Sequence, residues 1–167
     1  AGNDSITAGA GTDTITVASG TDTITNVSGT GGSADNIIVT SAASGAHLTL
    51  GAAWTADSDT VNNLSNTAVT IDASGKALDL TAATADGTSS FGYTITNNGG
   101  SDTITGSAAA DVITAGTGGD TINGGAGNDS ITAGAGTDTI TVASGTDTIT
   151  NVSGTGGSAD NIIVTSA

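Results

Sequence analysis

The chain has 167 residues, 16 of them acidic against one Lys and one His, and a formal net charge of −15; every acidic residue is Asp. That sign excludes nucleic acid and anionic membrane as partners, and no apolar run is long enough to span a membrane. With no Cys, Met or Pro, 27 Gly and only Trp54, Phe91 and Tyr93 as aromatics, it has neither a disulfide framework nor the bulky apolar content of an ordinary globule.

A chain this acidic either stays unfolded or folds around cations. Residues 1–25 begin in mid-motif with AGNDSIT and set Asp4, Asp13 and Asp22 nine residues apart. Residues 26–96 are less regular. Their apolar clusters, Ile37–Val39, Leu48 and Leu50, Val61 and Leu64, Val69 and Ile71, Leu78 and Leu80, and Tyr93 and Ile95, predict further coils with wider turns. Asp57, Asp59, Asp72, Asp79 and Asp86 follow no ladder there, and no cation is placed on them. Asp57 and Asp59 imitate a glycosidase carboxylate pair, but no aromatic-lined cleft accompanies them. His47 reads as a packed or exposed strand residue, Lys76 as a turn residue, and Trp54 as core in preference to a lateral contact.

From Asn97 the text divides into nines: NNGGSDTIT, GSAAADVIT, AGTGGDTIN, GGAGNDSIT, AGAGTDTIT, VASGTDTIT. The sixth position is always Asp and the eighth always Ile. Residues 126–167 then repeat residues 1–42 without change, at an offset of 125. The expected organisation is one unit, 1–125, followed at 126–167 by the start of an identical one. Within the unit, 1–25 and 97–125 form nonapeptide coils and 26–96 irregular coils. The chain reads as a window on a longer tandem array.

In each nonad a six-residue turn precedes a three-residue strand. Strand side chains alternate, so Ile points inward and the flanking Thr outward. Two nonads close one coil of 18 residues, and successive coils stack parallel strands about 4.8 Å apart. The fold class is therefore all-β, a parallel β-roll or β-solenoid with cation-binding turns. Two sheets enclose a thin Ile core, with about seven coils per unit. Such a core barely offsets the entropy of a Gly-rich chain.

Residues 18 apart share an edge. Asp102, Asp120 and Asp138 stack on one, and Asp111, Asp129 and Asp147 on the other. Asp4 and Asp22 form an equivalent pair, Asp13 joins by its place in the nonad, and Asp35 and Asp160 follow after longer loops. Stacked carboxylates and turn carbonyls make an all-oxygen site, which suits Ca²⁺ over Zn²⁺ or Mg²⁺. Asp also favours turns for its own sake, but that preference would admit Asn or Ser at the sixth position, and none occurs in these nonads.

GGAGNDSIT at 124–132 fits the nonapeptide G-G-x-G-x-D-x-U-x at every position, and the run resembles the repeats-in-toxin (RTX) calcium-binding β-roll repeats of bacterial S-layer proteins and giant adhesins. GSAAADVIT departs from it most. The resemblance implies type I secretion and folding outside the cell, where calcium is plentiful. The expected function is a calcium-stabilised extracellular structural repeat of a bacterial surface protein: an S-layer, a matrix filament or an adhesin extender. The expected partners are further tandem copies, with lateral self-association through calcium. The alternatives are a calcium-folding tail of a secreted enzyme or toxin, or an ice- or carbohydrate-binding face made of the outward Thr ladders. No catalytic residues are expected.

Overall fold

The computed structural model describes residues 1–30, 34–64, 69–84, 91–152 and 159–165. Every strand pairing among them is parallel, and no helix occurs. The first wall of the solenoid stacks β1 (Ser5–Thr7), β3 (Gly20–Gly29), β5 (Ala43–Thr55), β7 (Val69–Asp72), β9 (Phe91–Thr96), β11 (Ala110–Thr114), β13 (Ser130–Thr132) and β15 (Thr148–Thr150). One apolar residue of each strand lies over the next: Ile6, Ile24, Leu48, Ile71, Ile95, Ile113, Ile131 and Ile149. Their flanking Thr residues face outward, so the nonads alternate as the β period requires.

Coil length changes along this column. It is 18 residues from Ile6 to Ile24, then 24, 23 and 24 through Leu48 and Ile71 to Ile95, and 18 again to Ile113 and Ile131. Six coils therefore span the 125 residues from Ile6 to Ile131, where sequence spacing predicts about seven. The apolar clusters of 26–96 mark sides of coils, and the wide coils have three sides instead of two.

The corner that opens the third side appears first in β3, whose Gly29 end pairs with Trp54, and continues in β5. Its first half pairs with β7 through His47–Thr49, and its far end pairs with β8 (Leu78–Asp79) through Trp54 and Thr55. The strand turns a corner and joins two walls into one 13-stranded sheet. The second wall runs from β8 through β10 (Thr103–Thr105), β12 (Thr121–Asn123) and β14 (Thr139–Val142) to β16 (Asn161–Val164). A separate sheet of β2 (Thr14–Val17), β4 (Asn36–Val39) and β6 (Val61–Asn62) closes the third side.

The wider cross-section accommodates larger side chains. Trp54, Leu48, Leu50, Leu64, Leu78 and Leu80 are all buried there, and Trp54 donates its indole N–H to the Asp35 carbonyl at 3.0 Å. The nonad coils bury mainly Ile104, Ile113, Ile122, Ile131 and Ile140.

Candidate metal centre

Each turn of a nonad coil lies directly over a turn of the next, and the glycines make that possible. The carbonyl oxygen of Gly118 lies against Gly136, where a Cβ would come within 1.5 Å of it, and Gly136 holds a φ of 144°. Gly134 meets the Gly116 carbonyl in the same way. The Ala135 N–H donates to the Gly116 carbonyl at 2.9 Å, and the Gly118 N–H to the Ala135 carbonyl at 2.7 Å.

This stacking brings the sixth-position Asp residues together in the expected pairs. Oδ1 of each accepts the backbone N–H of the Asp one coil earlier. Asp22 accepts from Asp4 at 3.0 Å, Asp120 from Asp102 and Asp129 from Asp111 at 2.9 Å, Asp138 from Asp120 at 2.8 Å, and Asp147 from Asp129 at 2.9 Å. Across the longer loops, Asp35 accepts from Asp13 at 3.0 Å and Asp160 from Asp138 at 2.9 Å.

The second oxygen decides what the ladder can hold. Oδ2 of Asp13, Asp120, Asp129 and Asp138 is sealed from solvent and meets no donor. An unsatisfied buried acceptor costs about 1–3 kcal/mol, more if charged, so these turns fit a cation. Burial pushes the Asp129 carboxyl up to about 6; the Asp111 N–H opposes this, and the Asp111 and Asp147 charges add to it. Asp120 is pushed up by burial too, against the Asp102 N–H and with the charges of Asp138 and Asp102. Among the described residues no three acidic or His side chains converge on one point. A cage here would join carboxylates to backbone carbonyls, an oxygen-only set suited to a hard ion.

A family model described as RTX calcium-binding nonapeptide repeat (4 copies) matches residues 1–24, 96–126 and 114–149. These segments are RTX calcium-binding nonapeptide repeats. The match takes in the 18-residue coils and leaves the wide coils of 25–95 outside it. No curated protein and no solved structure matches the chain.

Beyond the RTX turns, the scattered Asp residues form local turns. Asp57 Oδ1 accepts the Asp59 N–H, Asp72 Oδ1 the Ser74 N–H, and Asp79 Oδ1 the Thr81 N–H, all at 2.9 Å. Asp86 lies outside the described residues. His47 is exposed on the outer face and bonds Thr70 Oγ1 through Nδ1. Lys76 sits in its turn with Nζ donating to the Ser74 carbonyl.

Two residues that shape the RTX ladder escape sequence reasoning, Asn97 and Ser107. Asn97 is wholly buried; its Nδ2 donates to Asp102 Oδ2 at 3.0 Å, and its Oδ1 accepts the Gly75 N–H at 2.7 Å. Ser107 donates to Asp111 Oδ2 from its backbone N–H at 2.7 Å and its hydroxyl at 3.0 Å. The signals were the missing glycines at the first position of NNGGSDTIT and the second position of GSAAADVIT.

Proposed function

We propose that the chain is a calcium-stabilised structural repeat of a secreted bacterial surface protein: a segment of an S-layer, matrix filament or adhesin extender. The observation that carries this reading is the junction between copies. β13, which opens the second copy, pairs with β11 through Ile113 and Ile131 in the register of any two nonad coils, and β14 pairs with β12 likewise. Units of 125 residues thus continue one solenoid without a linker. In the first copy the following coil covers Ile37 and Val39, leaving them 2% and 1% exposed.

Asp13, Asp120, Asp129 and Asp138 are the proposed first ligands, with Asp4, Asp22 and Asp147 completing their columns. Calcium, when bound, neutralises the stacked carboxylates and occupies the donor-less oxygens, so its binding energy adds to folding energy. The acidic edges also offer lateral self-association through shared calcium.

Circular dichroism during calcium titration tests the reading. β-structure should rise in the millimolar range of extracellular calcium modules. A spectrum equally rich in β-structure with excess chelator would overturn metal-driven folding.

A further inference from the structure

Seven turns of the Asp ladder are of two kinds. At Asp13, Asp120, Asp129 and Asp138 the second carboxylate oxygen has no donor. At Asp35, Asp102 and Asp111 the protein itself supplies one. The Ser28 N–H donates to Asp35 Oδ2 at 2.9 Å. Asn97 Nδ2 donates to Asp102 Oδ2 at 3.0 Å. Ser107 reaches Asp111 Oδ2 through both its N–H and its hydroxyl.

These three turns share a location, the borders between 18-residue coils and wide ones. In the first-wall column the sixth-position place passes from Asp22 to Ala46, Val69 and Tyr93, all buried, and returns to Asp at Asp111. Asp111 therefore stacks on an aromatic residue. Its Oδ1 accepts the Tyr93 N–H at 2.6 Å where an Asp N–H would otherwise stand. A cation at such a border would meet carboxylate on one side only. Asn97 bridges the coils instead, bonding Gly75 above and Asp102 below. The Ser107 hydroxyl accepts the Ala109 N–H at 3.2 Å while donating to Asp111. Neither Ser107 nor Ala109 adopts the positive φ seen at their counterparts Gly125 and Gly127 in the Asp129 turn.

We propose that Ser28, Asn97 and Ser107 close the border turns in place of calcium, so that the wide-coil block from 28 to 111 holds its edges without metal and calcium binding begins at Asp13, Asp120 and Asp129. The block is then a preformed end against which the nonad coils order as calcium arrives. The role given to calcium rests on the proposed function; the closed turns rest on the hydrogen bonds alone.

Two measurements on the 167-residue chain decide it. In the first, amide hydrogen exchange is followed in excess chelator. The amides of Gly75, Tyr93 and Ser107 should exchange at least about tenfold more slowly than those of Asp120 and Asp129. Equal rates would overturn the proposal. In the second, bound calcium is counted by titration calorimetry. Asp129→Asn should lower the count, and Asp111→Asn should leave it at the wild-type value; an equal loss in both variants would overturn the proposal. Should Asp111→Asn fail to fold, the exchange contrast in the unsubstituted chain is decisive by itself. A wild-type chain that binds no calcium would sink the proposed function, while the exchange contrast would still decide whether the border turns are closed.

Discussion

A carboxylate oxygen sealed from water and from any donor is satisfied by a proton or by a cation. Asp129 shows the consequence. Its ordinary value is 3.8, and burial in the metal-free fold holds it up near 6; Asp111 is raised by burial to a similar value. The folded chain thus binds protons more tightly than the unfolded one between these limits. Stability of the metal-free fold should rise as pH falls through 6 and level off below about 4. Circular dichroism in chelator from pH 7 to pH 4 checks this: β-structure should rise as protons replace the cation, and a signal that falls on acidification over that window contradicts it. With calcium present protons compete for the same oxygens, and the trend should reverse. Asp129→Asn follows the same logic: it retains an acceptor for the Asp111 N–H but loses the charge. It should destabilise the calcium-loaded chain by about 1–3 kcal/mol, as read from unfolding curves in calcium, and raise the β-structure that remains in chelator. The Asp columns were legible in the sequence because the nine-residue period states them outright. The closure at Ser107 was not, since a Ser in place of Gly looks like decay of the motif until the turn brings its hydroxyl onto Asp111.

For the elements, stacking depends on the turn glycines as much as on the Ile column. Gly136→Ala would drive a Cβ into the Gly118 carbonyl at a φ of 144°. The expected loss is about 2–3 kcal/mol. At Gly100 a Cβ meets nothing within 4 Å, so Gly100→Ala should stay within about 0.5 kcal/mol of wild type. Thermal unfolding of both variants in calcium makes the comparison, and equal losses would show that backbone proximity is not what selects glycine. The β-roll itself was readable from Ile and Thr alternation. The third side was not, because β5 runs through its corner from Ala43 to Thr55 as one 13-residue strand. Neither Pro nor a cluster of turn residues marks the bend; only pairing to β7 at one end and β8 at the other reveals it.

On the scale of the whole molecule, the count of coils sets the length of the unit. Six coils at about 4.8 Å each give a repeat near 29 Å along the solenoid axis, shorter than seven narrow coils would give. Electron microscopy of tandem units in calcium should show unbranched rods with that axial period. Compact separate particles, or copies joined by hinges, would count against a continuous solenoid. Apolar spacing overcounts the coils because each cluster of 26–96 resembles one side of a narrow coil, whereas Trp54, Leu64 and Leu78 belong to wider ones. The replacement of Asp by Ala46, Val69 and Tyr93 in the first-wall column also has an optical consequence. If calcium fills the nonad turns and the units continue as one rod, as proposed, cation-binding turns and cation-free coils alternate along the axis and the rod is banded in electron density. Aligned fibres soaked in a lanthanide should diffract with a meridional reflection near 29 Å that strengthens as the heavy ion replaces calcium, while the reflection near 4.8 Å from strand spacing stays as it was.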